Sequence, residues 1–340
     1  MPTNTLRFLV CGCVLLAGGV CSSGKEDSAS AEMLFAQAAR LHEVWTAGTP
    51  PMVMRADIQV FNGKGSVTPG QYIVNWVSAT RWREDLRFSN YERVRVHGEK
   101  GYWQRSGLSF QPLIVGQLDA AMDFKTELKV RAKQSLGKAK GRTKDGIRQT
   151  CVDVKWKSGT DRTLCFDEAS GNLVSVEYPT SANRNPPAIS RVEYSGFRDV
   201  GEKRVPFEIR AFRERAAAFT VKVLEMTPSA EEDASLFAVP ANSEFWAHCD
   251  DMQDAEWQVH VQPVYPADAR RNRESGTEIF YAVIEADGTV SQLTVIQQAT
   301  PALEAAAADA IRQWRYKPAS CGATPIRVET SIAVDFHLGP

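Results

Sequence analysis

The cysteines are the side chains of this sequence with the clearest capacity for covalent chemistry. Cys151 and Cys165 flank two alternating runs, and the midpoint between them falls on a Ser-Gly turn. A symmetric hairpin about that turn places the two side chains opposite each other, close enough to form a disulfide. Four of the seven cysteines remain after the signal cleavage that is predicted below: Cys151, Cys165, Cys249 and Cys321. Four cysteines allow three connectivities, and by exclusion the second bridge joins Cys249 to Cys321.

A metal site is the competing interpretation of these cysteines. None of them lies in a CxxC pair, and no histidine stands at ligand spacing from one. The motifs GxSxG, HExxH, GxxxxGKS/T and GxGxxG do not occur, and the five histidines are scattered. We therefore expect disulfides, and we expect neither a metal, a cofactor nor enzymatic activity.

The first residues are typical of an export signal. One arginine and no acid precede an apolar run from Phe8 to Cys21, and Ala29 to Ala31 provide a small-residue cleavage site. We expect residues 1–31 to be a signal peptide and the mature chain to be periplasmic, where oxidising conditions favour disulfides. Lipidation of Cys21 and an uncleaved anchoring helix are the alternatives.

The 340 residues are sufficient for two or three domains, and the net charge of −1 argues against nucleic-acid binding. We expect a helix over residues 32–48, a period-two β domain over 50–228, an acidic connector over 229–256 and a small domain over 257–340. The predicted fold class is α+β: a large, curved antiparallel sheet of half-barrel type with few helices, followed by a ββαβ domain.

Short alternating runs, separated by Gly, Asn, Pro and Asp, predict the strands of the β domain. The predicted strands are Arg55–Phe61, Gln71–Val77, Arg81–Phe88, Tyr91–His97, Lys100–Arg105, Ile147–Trp156, Arg162–Phe166, Leu173–Tyr178, Ser190–Asp199, Arg204–Phe212 and Ala217–Met226. One helix is predicted among them, Leu113–Phe124.

The run YIVNWVSATRWREDLRFSNYERVRVHGEKGYWQR resembles the outer-membrane lipoprotein carrier fold. That resemblance implies a strongly curved half-barrel whose concave face holds acyl chains under a helical lid. Trp76, Trp82, Phe88 and Trp103 are the candidate residues of such a lipid cavity. The alternative is that these aromatic side chains fill an ordinary core.

The C-terminal part has the order strand, strand, helix, strand. Apolar runs from Ile279 to Ile284 and from Val290 to Ile296 flank an Asp-Gly dipeptide, which favours a tight hairpin turn. An apolar stripe from Leu303 to Trp314 predicts a helix that Pro318 ends. Alternation from Ile326 to Phe336 predicts a half-buried strand with a polar outer face.

This order, with QPVYP before it and WRYKP at the helix end, resembles the C-terminal domain of the TonB energy-transducer family over residues 262–338. The resemblance implies strand addition, in which an exposed edge takes up the TonB box peptide of an outer-membrane receptor. The peptide-binding residues it indicates are Gln262, Pro263, Tyr265, Pro266, Arg327, Val328, Glu329, Thr330 and Ser331.

We therefore expect a periplasmic protein of the TonB family that binds an extended receptor peptide and is linked to energy-dependent transport across the outer membrane. The sequence departs from that family because it shows neither a permanent membrane helix nor a long Pro-rich segment. The alternative is a periplasmic carrier of a lipid, acyl chain or lipoprotein, whose TonB-like domain binds another envelope protein.

Overall fold

A computed structural model describes residues 23–62, 65–130, 134–156, 161–179, 189–229, 233–249 and 252–338. The helices are α1 Ser23–His42, α2 Leu113–Met122, α3 Phe124–Leu128, α4 Ala267–Arg271 and α5 Pro301–Ile311. Cys21 and most of the predicted signal peptide lie outside these ranges, so cleavage and lipidation stay predictions. No helix among the described residues is long and apolar enough to cross a membrane.

The strands of the first part are β1 Met52–Phe61, β2 Val67–Ser78, β3 Arg81–Phe88, β4 Tyr91–Gly98, β5 Gly101–Ser106, β6 Gln134–Leu136, β7 Lys140–Lys144, β8 Ile147–Trp156, β9 Arg162–Asp167, β10 Leu173–Glu177, β11 Arg191–Val200, β12 Lys203–Arg213 and β13 Ala216–Pro228. Those that follow are β14 Glu244–Ala247, β15 Met252–Gln253, β16 Glu256–Val259, β17 Gly276–Ile284, β18 Val290–Gln297, β19 Arg315–Lys317, β20 Ser320–Cys321, β21 Thr324–Pro325 and β22 Val328–Phe336.

One antiparallel sheet forms the β domain. Its strand order is β14-β5-β4-β3-β2-β1-β13-β12-β11-β10-β9-β8-β6, and β7 also pairs with β8. Its strands alternate between buried and exposed residues. In β1, Met54, Ala56 and Ile58 are buried, whereas Arg55 and Asp57 are exposed. The prediction of a large antiparallel sheet is confirmed.

The sheet curves around α2. Arg93 on β4 donates to Asp119 on α2 at 2.7 Å, and the hydroxyl of Tyr194 on β11 donates to the carbonyl oxygen of Ala121 at 3.1 Å. Five strands separate β4 from β11. In a flat sheet that is a separation of about 29 Å. A ten-residue helix can contact both strands only if the sheet bends, which produces the concave face that the half-barrel prediction requires.

Helix α1 closes part of this concave face. Ala31, Phe35 and Ala38 are buried in the core of the β domain. The backbone N–H of Leu173 donates to Nε2 of His42 at 3.0 Å, so the proton on Nδ1 is available to the carbonyl oxygen of Arg204 at 2.7 Å. The helix begins and ends earlier than the predicted range 32–48. Its buried face already includes Ala31, and the residues after His42 connect it to β1.

The predicted acidic connector is largely built into the two domains that it joins. β14 pairs with β5 at one edge of the large sheet, while β15 and β16 pair with β20 and β19 of the C-terminal part. The guanidinium of Arg83 donates to the carbonyl oxygen of Leu236 at 2.8 Å. The connector therefore has little freedom to act as a loose link.

The C-terminal domain has a three-stranded sheet in the order β18-β17-β22. The predicted hairpin between β17 and β18 is confirmed. Gly288 in its turn has φ +83°, and a Cβ there would lie 1.9 Å from the carbonyl oxygen of Tyr316. Helix α5 ends at Ile311 instead of continuing toward Pro318, because the following residues form β19 against β16.

Both predicted disulfides are present. Cys151 and Cys165 are directly opposite each other on β8 and β9, with their Cα atoms 4.0 Å apart. Cys249 and Cys321 are bridged with their Cα atoms 5.6 Å apart, which ties the segment before the C-terminal domain to β20.

Candidate functional site

Strand β22 lies at the edge of its sheet in the described part of the chain. In its downstream half Ile332, Val334 and Phe336 are buried, whereas Ser331 and Asp335 are exposed. This half matches the predicted half-buried strand with a polar outer face. Its outer edge offers backbone groups to which an extended peptide can pair.

Arg327, directly before β22, contacts the β domain. Its Nη2 lies 3.0 Å from a carboxylate oxygen of Glu244 on β14, and its guanidinium lies 4.3 Å from the ring centre of Trp246. Val328 packs into the C-terminal core and Thr330 is half-buried. The residues predicted to bind a peptide here are therefore partly occupied by contacts within the chain.

Glu329 of β22 contacts three residues through its carboxylate. Its carboxylate accepts hydrogen bonds from the hydroxyl of Tyr281 at 2.9 Å and from the amide of Gln104 at 3.3 Å, and it lies 3.9 Å from Arg95. Gln104 and Arg95 belong to the β domain. Glu329 thus links the last strand to β4 and β5 of the large sheet.

An apolar cluster completes the contact between the two domains. It consists of Trp246, Tyr281 and Val283, with Tyr102, Phe110 and Ile296 packed against them. The opposite face of β17, formed by Phe280, Ala282 and Ile284, packs against α5 and its neighbours. Both faces of β17 are therefore covered. The two edges of this sheet are β18 and β22, and the predicted peptide-binding strand is β22.

Residues 262–266 include four of the predicted peptide-binding residues. In the structure this segment packs against the end of β22. The ring of Tyr265 meets that of Phe336 edge to face at 5.5 Å, and its hydroxyl donates to the carbonyl oxygen of Glu274. Pro266 precedes α4 as its N-cap. Gln262 is exposed, and Pro263 is half-buried. Tyr265 therefore has a positioning role toward β22.

The second feature is a cavity of about 1270 Å³ on the concave side of the β domain. Its apolar lining includes Trp45, Met54, Trp76, Trp82, Met122, Phe124, Trp156, Ile209, Val223 and Met226. The connector and the C-terminal domain also contribute lining residues, including Cys249, Met252, Lys317 and Ser320.

The structure brings together two of the four predicted cavity residues. Trp76 and Trp82 line the cavity, with ring centres 5.8 Å apart. Phe88 and Trp103 do not line the cavity, so these two predictions are wrong. Phe88 packs against Tyr91 and the core, and Trp103 points to the other side of β5, where it is 39% exposed and packs on Phe245.

A buried charged cluster, which the sequence did not predict, lies in the polar part of the cavity wall. Arg93 has no exposed side-chain surface and forms two hydrogen bonds with the carboxylate of Asp119, at 2.7 and 2.8 Å. Arg95 lies 3.3 Å from Asp119 and 3.7 Å from Glu84. Because Arg95 also approaches Glu329, this cluster joins the cavity wall to β22.

Burial and charge move the pKa values in this cluster in opposite directions. Burial raises the pKa of Glu84 above its ordinary value, although Arg95 and Arg93 oppose the shift. Burial would also raise the pKa of Asp119, but the two arginines outweigh it and hold that pKa below its ordinary value. Burial, reinforced by Arg95, lowers the pKa of His97 to about 2, so this imidazole is neutral.

The C-terminal part of the chain matches a known family. Residues 261–338 match the family model described as Gram-negative bacterial TonB protein C-terminal, so the recognition of a TonB-type C-terminal domain is confirmed. Protein TonB of Vibrio cholerae serotype O1 is 32% identical over 81 residues, which are 24% of this chain and 33% of that protein. The chain thus spans about a third of the length of this curated relative.

Solved structures with similar strand arrangements include a LolA superfamily protein from Nitrosomonas europaea, 9% identical, covering 61% of this chain and 96% of that one with a TM-score of 0.40. A proposed outer-membrane lipoprotein-sorting domain from Vibrio parahaemolyticus is 11% identical, covering 60% and 95% with a TM-score of 0.41. Both TM-scores are below 0.5, and nothing about a ligand of this chain follows from them.

Proposed function

We propose that this chain is a periplasmic, non-enzymatic protein that binds an extended peptide of an outer-membrane receptor by adding it as a strand to the edge of β22. The observation that carries the proposal is the edge position of Val328–Phe336 within a segment that matches the TonB C-terminal family. Such binding would link the chain to energy-dependent transport across the outer membrane.

The contacts of β22 define where the peptide would dock. Arg327 and Glu329 are engaged by the β domain, which leaves the six residues Ser331–Phe336 as the accessible edge. Six residues of antiparallel strand offer about 20 Å of edge. Affinity would come from main-chain hydrogen bonds, and the side chains of alternate peptide residues would supply specificity.

The experiment is a binding titration of the full chain, with its disulfides intact, against a labelled TonB box peptide of an outer-membrane receptor. Two variants of the peptide carry N-methyl groups on alternate residues, one set at odd and the other at even positions. Strand addition pairs every second peptide N–H with the edge, so one set should abolish binding and the other should leave it. Equal affinity of the two sets, or no binding of the parent peptide, would refute the proposal.

A second function, carriage of a lipid or lipoprotein acyl chain, is favoured by the cavity. Its volume of about 1270 Å³ exceeds the roughly 300–1,000 Å³ usual for small-molecule pockets. Its wall contains the tryptophans Trp76 and Trp82. In this function the TonB-like domain would bind another envelope protein and so localise the carrier.

A cavity-filling variant tests the carrier function. Ala120 lines the cavity from α2 yet is exposed, so Ala120→Trp should fill the space without disturbing the core. Ala305→Trp on the exposed side of α5 is the matched control. The first variant should lose binding of a fluorescent acyl probe by the full chain, while the control should retain it. Unchanged binding in Ala120→Trp would exclude this cavity as the acyl site.

A further inference from the structure

The polar part of the cavity wall contains two buried polar atoms that accept or donate no hydrogen bond among the described residues: Oε2 of Glu84 and Nε2 of His97. Glu84 is 7% exposed, and its Oε2 lies 3.6 Å from Arg93 and 3.7 Å from Arg95, beyond hydrogen-bond distance. Both residues line the cavity. Buried polar atoms of this kind favour a ligand that can pair with them.

The two side chains are held close together. Trp82 lies opposite His97 in the register of β3 and β4, and their rings stack with centres 3.5 Å apart. Tyr102 approaches the other side of the imidazole at 5.0 Å. Nε2 of His97 lies 3.9 Å from Oε1 of Glu84. A ligand oxygen about 2.8 Å from both Nε2 and Oε1 would have ordinary hydrogen-bond geometry, and it would pair the imidazole with the same carboxyl group that has the unpaired Oε2.

The charges around this position select against an ionised headgroup. An ionised headgroup, whether a carboxylate or an ammonium group, would lose its hydration and meet two arginines and two acids whose charges largely offset each other. The imidazole of His97 is neutral and supplies no charge to either. A hydroxyl group both donates and accepts, so it can pair with a carboxyl group and with either tautomer of the imidazole.

We propose that the cavity binds an amphiphile with an uncharged, hydroxyl-bearing headgroup, of the monoacylglycerol or long-chain alcohol type, whose hydroxyl bridges Glu84 and His97. The inference rests on the carrier function proposed above and names its ligand class. The acyl chain would lie along the apolar wall formed by Trp76, Trp82 and Met54.

The test compares three ligands with the same chain: monolauroylglycerol, methyl laurate and laurate. Each displaces a fluorescent apolar probe from the full chain at pH 7. Monolauroylglycerol should bind about tenfold more tightly than methyl laurate, because loss of the hydroxyl leaves buried polar groups unpaired. Laurate should bind most weakly. Equal affinities for the ester and the glycerol derivative, or tightest binding of laurate, would overturn the proposal.

Two variants assign any preference to this position. His97→Phe keeps an aromatic ring against Trp82 but removes Nε2, and should abolish the tenfold preference while methyl laurate still binds. Glu84→Gln, which preserves side-chain shape, should reduce the preference and serves if the first variant fails to fold. His337→Phe, at an exposed site outside the cavity, is the control. A preference that survives both cavity variants would overturn the proposal.

The outcomes separate this inference from the function on which it rests. If all three ligands displace the probe equally well, the cavity is an acyl site and the headgroup assignment is wrong. If none displaces the probe and the probe itself does not bind, the carrier function fails together with the headgroup assignment.

Discussion

Arg93 should be among the most costly residues of the β domain to replace. Its side chain is fully buried, forms two hydrogen bonds with Asp119 and lies 3.6 Å from Glu84. Arg93→Met leaves a carboxylate without its main partner in a buried setting, which costs about 3–5 kcal/mol of unfolding free energy. At about 2–4 °C per kcal/mol for a domain of this size, the unfolding midpoint should fall by about 6–20 °C.

Urea and thermal unfolding, followed by tryptophan fluorescence and circular dichroism, measure this loss. Arg87→Met is the control, because Arg87 is two-thirds exposed and 4.0 Å from its partner, and its replacement should cost below about 1 kcal/mol. The double variant Arg93→Met/Asp119→Leu should recover at least about 2 kcal/mol, since it removes both charges. A loss below about 1 kcal/mol in Arg93→Met, or strictly additive effects in the double variant, would refute the reasoning.

Three further predictions concern the bridge, the buried acid and the domain contact. Cys321→Ser opens a loop of 72 residues and should lower the unfolding free energy by about 4 kcal/mol; equal stability with and without reductant in the native chain would contradict this. Because burial raises the folded-state pKa of Glu84, stability should decline as pH rises from the ordinary value of 4.5 through that pKa, and Glu84→Gln should flatten the decline in unfolding titrations. Glu329→Gln weakens the hold of the β domain on β22 and should raise peptide affinity several-fold in the binding titration; unchanged affinity would mean that this contact does not restrict the edge.

The strands were predictable because their signal is local. Arg81–Phe88 and Ile147–Trp156 have the predicted bounds, since alternation and turn residues at both ends define them. The bridge between Cys151 and Cys165 followed from the symmetry of one hairpin. These features need no knowledge of what packs on the sheet.

The charged cluster was not predictable from the strands alone. Arg93 lies opposite Leu86, a core residue, so the charged side of β4 faces the concave side while Val94 and Val96 face the other. Alternation by itself assigns the valines to the core. Arg93 can be buried because Asp119 pairs with its charge, and Asp119 lies on a helix 26 residues further along the chain. A row of Arg, Arg and His at period two was the available signal.

The contact between domains escaped prediction for a similar reason. The alternation of the last strand assigns Glu329 to a solvated face, and that face becomes an interface only because the β domain presents Gln104 and Arg95 to it. Sequence periodicity identifies the two sides of a strand but not the body that covers each side.

The bridge between Cys249 and Cys321 also determines how tension would travel through the molecule. A pull between the β domain and a peptide on β22 passes from Cys249 directly to Cys321 and then along the short stretch to Val328. Strands β17 and β18 and helix α5 lie in the bypassed loop, outside the covalent load path. The 72 residues that the bridge bypasses would span about 240 Å if fully extended, and the bridge prevents this extension. A stretched chain would therefore transmit force over a short, stiff tether before the loop itself bears any load.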